Sequence, residues 1–327
     1  MTVLKIAIVF FVVIVGFFYV KASNFTPFIP PSQPASTVEG SSAVTGVMTQ
    51  PLWQFATGMT PSVYGVPGIL SGAALVFFAF IGFDVVATAS EETKNPHKNV
   101  PLGIGVGMLL IIVMYMLVAV VTTGMVSYAD LAKQDSPSLA TAFELVGADW
   151  AAKIISFGIV LGLATVVMVL LLGLTRIVFA MSRDGLLPRG LSKTGKHGTP
   201  AVLQIVVGTV VALVAAFFDI GVLSDMVNIG TLSAFTLVAI SIPIMRKKRP
   251  DLPRAFKMPG SPWIPILIAV ANFWLMLNLS VLTWIRFVVW LVVGFAIYFG
   301  YGYWHARLGK GDLTETLSAE TDKAVNG

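Results

Sequence analysis

Residues Pro67 to Ser90 read PGILSGAALVFFAFIGFDVVATAS, an apolar stretch with one ionisable side chain, Asp84. The stretch is long enough to cross a bilayer. A hydrocarbon core is about 30 Å thick, and at about 1.5 Å per residue roughly 20 apolar residues span it as a helix. Small residues gather at Ser71, Gly72, Ala73 and Ala74, and Gly82 and Asp84 follow. An ionised Asp in hydrocarbon costs at least about 2.5 kcal/mol, so Asp84 belongs inside a helix bundle with a partner. Gly82 is a natural point for the helix to break, and a broken helix offers main-chain carbonyls to an ammonium group without side-chain chemistry. The alternative is a continuous helix in which Gly82 permits close packing. The residues alone leave both readings open.

The rest of the chain has the same character. Of 327 residues, 56% are hydrophobic and 11% charged, against about 25% charged in soluble domains, which excludes a soluble enzyme and a disordered chain. The net charge of +5 comes from basic residues scattered between apolar blocks, with no stripe for nucleic acid. There is no cysteine, hence no disulfide, thiolate metal site or thiol nucleophile. His97, His197 and His305 stand alone, without a second ligand at metal spacing, so neither a metal nor a cofactor is expected. Eight stretches qualify as spans: Val3 to Val20, Pro67 to Ser90, Leu102 to Met125, Ala151 to Met181, Ala201 to Phe218, Val222 to Met245, Trp263 to Leu282 and Ile285 to Trp304. The expected fold class is therefore an all-α multi-pass membrane protein with eight transmembrane helices in the lipid bilayer.

Cationic connections stay in the cytoplasm. With the N-terminus inside, Lys94, Lys98, Arg183, Arg189, Lys193, Lys196, Arg246, Lys247, Lys248, Arg249, Arg254 and Lys257 face that side. Lys21, Lys133, Lys153 and Arg286 fall opposite, so both termini are expected in the cytoplasm. Residues 1–308 form the expected membrane domain. Residues 21–65, rich in proline, serine and threonine, form a long exterior loop in which Pro51 to Gly58 reads as a short interfacial helix. Residues 309–327 read as a disordered cytoplasmic tail. Lys5 has two readings: a buried lysine is a plausible proton carrier or stand-in for a bound sodium ion, and one this near the chain start also snorkels to the interface. Gly158 and Gly162 read as a packing pair, and Asn228 and Asn278 as bonds between helices. No zinc-protease, phosphate-loop or nucleophile-elbow pattern is present, so no enzymatic chemistry is expected.

Two long motifs carry a resemblance. GAALVFFAFIGFDVVATASEETKNPHKNVPLGI resembles the sixth membrane helix and following loop of the cationic amino acid transporter family, in the amino acid, polyamine and organocation superfamily. LLLGLTRIVFAMSRDGLLPRGLSKTGKHGTP resembles the end of that family's eighth helix and its next loop. The resemblance implies two inverted five-helix repeats, LeuT-like, with an L-amino acid held at broken first and sixth helices. It assigns the carbonyls of Phe78, Ala79 and Ile81 to the substrate's amino group, Phe78 and Ile81 to the side-chain pocket, Met168 to the pocket's depth, and Gly82 and Asp84 to the helix break. It makes Lys5 the fifth-helix lysine that occupies the sodium place of related transporters, with protons as the coupling ion.

The same resemblance makes Met1 the start of the fifth helix, with helices one to four absent, a partial fold in which the carboxylate half of the substrate site is missing. A separate chain supplying those four helices is one implied partner. The implied activity is proton-coupled transport of neutral or broad-range L-amino acids across the cell membrane by alternating access, or amino acid exchange. A non-transporting remnant or accessory subunit is the alternative.

Overall fold

The computed structural model describes residues 2–35, 46–83, 86, 93–134, 137–192, 200–250 and 260–306. The chain divides into two compact units: residues 1–167 with 224–284, and residues 168–223 with 285–327.

In the first unit, α1 (Thr2–Phe17) is an unbroken apolar helix that ends three residues before the expected Val20. A 3₁₀ turn, Ala22–Phe25, then fastens the chain to the end of α4 (Pro96–Met125). The Lys21 amide and the Asn24 side chain both donate to the Gly124 carbonyl, at 2.8 Å each. Position 124 has to be glycine for this contact, because a Cβ there would lie 2.8 Å from the Phe25 ring and 2.9 Å from Val20. A core forms where Val12 of α1, Val121 and Met125 of α4, Phe143 of a short helix at Leu139–Leu145, and Ile155 of the long helix Asp149–Arg183 exclude water. One turn earlier on the same face of α1, Gly158 of that long helix lets Ile8 approach so closely that any Cβ would overlap it.

The stretch from residue 21 to 65, expected as an exterior loop, carries more regular structure among its described residues than its composition implies. It contains α2 (Leu52–Thr57), within the expected Pro51 to Gly58, closed by Gly58 at φ +69°. Strands β1 (Gln33–Pro34) and β2 (Ser62–Val63) pair antiparallel, an element without alternating apolar residues to announce it. Next come α3 (Gly65–Val76) and α4, which opens with Pro96 in its first turn, where the missing N–H costs nothing. Two short helices follow, α5 (Tyr128–Ala132) and α6 (Leu139–Leu145), capped by Ser127 and Ser138, whose hydroxyls accept from the amides of Asp130 and Thr141. The long helix is α7 (Asp149–Arg183), with an acid in its first turn and a base in its last, as the helix dipole favours. α8 is Ala201–Phe217, α9 Ile220–Lys248, α10 Trp263–Leu277 and α11 Val281–Ile297.

Within the second unit, α7 ends in a Schellman arrangement: the Leu186 amide donates to Met181 O at 2.9 Å and the Gly185 amide to Ser182 O at 3.2 Å. Gly185 sits at φ +81°, and a Cβ there would strike the His305 carbonyl. The buried Ser182 hydroxyl donates to Pro188 O at 2.7 Å, closing the turn.

Among the described residues, four helices are long and apolar enough to cross a membrane: 28 residues at Lys98–Met125, 35 at Asp149–Arg183, 29 at Ile220–Lys248 and 25 at Val281–His305. Shorter apolar helices cover Thr2–Phe17, Gly65–Phe80, Ala201–Phe217 and Trp263–Leu277. The long helices carry outward-facing apolar side chains such as Leu109, Met116 and Val160, each more than 60% exposed. In water so much exposed apolar surface is not tolerated, whereas in lipid it is the stable arrangement, because helices satisfy their own backbone groups. This is an all-α integral membrane protein.

Candidate binding site at the interrupted helix

The helix that starts at Gly65 does not run on to Ser90. Its α-helical part stops at Val76, a 3₁₀ turn covers Phe77–Phe80, Ile81 is extended at ψ 135°, and Gly82 turns to φ +127°. L-residues rarely adopt that φ. A Cβ on Gly82 would meet nothing within 4 Å, so backbone conformation alone calls for glycine there. Asp84 lies outside the described residues.

Two side chains brace the interruption. From α4, the Tyr115 hydroxyl donates to Ala79 O at 2.8 Å while its ring meets Phe80 edge-on at 5.1 Å. From α9, the Asn228 amide donates to Leu75 O at 3.4 Å across two helices. The Ile81 amide caps Phe78 O at 3.2 Å. The Ala79 carbonyl is thus held in direction by Tyr115 and keeps a second lone pair for another donor.

The 3₁₀ repeat of three residues per turn sets Phe77 and Phe80 on one face, and Phe83 joins them from beyond the turn at Gly82. With Phe235 and Ala239 of α9, Met108 of α4, and Pro265 and Asn272 of α10, they line a cavity of about 380 Å³. Phe235 meets Phe77 edge-on at 6.1 Å and lies tilted against Phe83 at 5.3 Å. Phe78 and Ile81 belong to a different face and do not line this cavity; Phe78 is 44% exposed.

Of the residues expected at the site, Phe78, Ala79, Ile81 and Gly82 occur together in the interrupted segment. Met168 belongs to the second unit, where it is 65% exposed. Lys5 is half-buried on α1, its stem beside Gly162 of α7, and it makes no ion pair or hydrogen bond among the described residues. Asn228 does bond between helices, whereas Asn278 donates to Trp274 O of its own helix at 2.8 Å. Sequence reasoning passed over Tyr115 and Asp225. Asp225 accepts from the fully buried Thr283 hydroxyl at 3.1 Å and ties α9 to α11. A carboxylate at the start of an expected span carries the same signal as Asp84. Among the described residues no group of three or more metal-ligating side chains occurs.

Comparison with known proteins agrees with this architecture. A family model for amino acid permeases matches residues 1–302. The branched-chain amino acid permease BcaP of Bacillus subtilis is 42% identical over 95% of this chain and 60% of its own length. A methylthioribose transporter of the same organism is 39% identical over 94% of this chain and 59% of its own. The mitochondrial cationic amino acid transporter 3 of Arabidopsis thaliana is 45% identical over 59% of this chain and 31% of its own. The chain thus spans about 60% of the length of its bacterial relatives. These relatives are permeases and transporters, not enzymes. An apolar helical bundle, a helix interrupted at its glycine and a family match over nearly the whole sequence converge: the chain belongs to the amino acid permease family of the amino acid, polyamine and organocation superfamily.

Proposed function

We propose that the chain carries the amine-binding half of a permease that moves neutral L-amino acids across the cell membrane by alternating access, coupled to protons. The observation that supports this most is the interruption from Val76 to Gly82 inside an apolar helix. There the carbonyls of Phe78, Ala79 and Ile81 leave the regular ladder and serve the substrate's ammonium group, while Gly82 and Asp84 maintain the break. Lys5, with no anionic partner among the described residues, takes the coupling role. All eight apolar helices serve as spans, with both termini in the cytoplasm.

A branched-chain amino acid permease among the relatives favours leucine, isoleucine and valine as substrates. The methylthioribose transporter, at similar identity, means that resemblance alone does not fix the substrate. Donors for the substrate carboxylate are assigned to the first four helices that the resemblance implies, on the same polypeptide or a second chain. Uptake of radiolabelled L-leucine into liposomes tests the reading, using the chain alone and together with that region. Uptake that rises at acidic external pH, and that loses its pH dependence in Lys5→Met, is expected. No uptake in either form overturns the transport reading, and unchanged pH dependence removes Lys5 from it.

A further inference from the structure

Four buried side-chain N or O atoms have no hydrogen-bond partner among the described residues: Trp53 Nε1, Gln54 Oε1, Asn278 Oδ1 and Asn228 Oδ1. They are not scattered. Trp53 and Gln54 belong to α2, Asn278 follows the last turn of α10, and Asn228 sits on α9. Those elements form one connected path.

The path begins where the segment from Gly46 to Thr57 is strapped to the turn between α10 and α11. The Leu52 amide donates to Leu279 O at 3.0 Å, the Val281 amide to Gln50 O at 3.1 Å, and the Leu282 amide to Met48 O at 2.8 Å. Pro51 and Ser280 face each other as a bridge pair, and the Trp53 ring stacks on Trp274 with centroids 6.4 Å apart. The turn carries the signal inward: Ser280 caps α11 and bonds Thr283 at 2.8 Å, and Thr283 holds Asp225. Three residues on, and on the same face of α9, Asn228 reaches Leu75 O in the last turn before the interruption.

A buried donor or acceptor left unpaired has lost its water without replacement. One such group is tolerable. Two on the segment itself, Trp53 and Gln54, with a third, Asn278, beside the turn that receives it, mark an arrangement that is destabilised where it is seated and relieved when it opens to solvent. The main-chain bonds hold the segment down while the orphaned groups favour its release, which is the balance a two-state element needs.

We propose that Gly46–Thr57 is a lid that alternates between seated and released, and that its seating is transmitted through Thr283, Asp225 and Asn228 to the interrupted helix. Its role as a gate for substrate rests on the transport reading above; its motion and its coupling do not.

The chain has no cysteine, which makes a direct test simple. Pro51 and Ser280 are a non-hydrogen-bonded antiparallel pair, for which Cα atoms lie about 4.5 Å apart, within disulfide reach. A Pro51→Cys/Ser280→Cys variant in lipid nanodiscs, oxidised or reduced, locks or frees the lid in one polypeptide, so a folding defect shows in both forms. Amide hydrogen exchange is then followed by mass spectrometry. Oxidation is expected to slow exchange at residues 77–81 at least tenfold. The effect should vanish when Asn228→Leu or, at another joint, Asp225→Ala is added. Equal exchange at residues 77–81 in the two forms overturns the coupling. In the cysteine-free chain, exchange at Leu52, Val281 and Leu282 as slow as in the middle of α11 overturns the lid. Both readouts follow motion, so a failure of uptake sinks the transport reading without bearing on them.

Discussion

The Tyr115 hydroxyl donates to the carbonyl oxygen of Ala79 across 2.8 Å, joining the middle of α4 to the 3₁₀ turn of the interrupted helix. A 3₁₀ turn has poorer hydrogen-bond geometry than an α-helix and does not persist for long. An external donor to one of its carbonyls compensates. Tyr115→Phe keeps the ring contact with Phe80 and removes only the hydroxyl. It should lower stability by about 1 kcal/mol, measured as a reduced unfolding midpoint in detergent. A midpoint equal to that of the parent would mean that the bond does not brace the turn.

Gly82 and Gly72 offer a matched pair. A Cβ at either meets nothing within 4 Å, yet Gly82 is at φ +127° and Gly72 lies within α3. Gly82→Ala should cost roughly 1–3 kcal/mol through backbone strain alone. Gly72→Ala should be neutral or stabilising by up to about 1 kcal/mol. If both substitutions shift the unfolding midpoint equally, the positive φ at Gly82 is not a feature of the folded protein.

Gly158 gives a steric prediction. Alanine there would drive its Cβ into Ile8 of α1. Gly158→Ala should destabilise by about 1–3 kcal/mol, and Ile8→Ala should recover part of the loss in the double variant. Purely additive losses would place the two residues out of contact.

A pH effect is expected at Asp130, on a surface outside the spans. Its carboxyl is held below the usual carboxylate range first by the Ser127 hydroxyl, at 2.7 Å, and then by the Lys133 ammonium group, at 3.3 Å. The folded pKa therefore lies below the unfolded one. The contribution is present in full above the unfolded value, about 3.9, and is lost as pH falls through the lower folded value. The unfolding midpoint of the parent should exceed that of Asp130→Asn at pH 6, and the gap should close as pH falls below about 4. A gap that widens in acid would reverse the assigned direction.

The legible parts of this protein are those whose cause is local. Runs of apolar residues announce helices in a bilayer, Trp53 and Phe55 between prolines announced α2, and the Asp184–Gly185 pair marks the stop of α7. Gly82 is legible as one of three glycines in its stretch able to take a positive φ, and the residues alone leave a continuous helix open beside the break. The 3₁₀ turn just before it is not, because Phe77 to Phe80 contains neither glycine nor proline and its geometry is held by Tyr115, 36 residues away. The lid was hidden for the same reason: its partners are main-chain groups more than two hundred residues distant, and main-chain groups leave no mark on a sequence. Asp225 was legible and was passed over. The weight given to Asp84 as a carboxylate in hydrocarbon applied equally to Asp225.

The central claim is that main-chain oxygens at the interruption grip an ammonium group. Competition against radiolabelled L-leucine in the uptake assay tests it most directly, using leucinamide, which keeps the amine and loses the carboxylate, and isocaproate, which does the reverse. Leucinamide should compete and isocaproate should not. Competition by isocaproate with none by leucinamide would contradict the claim.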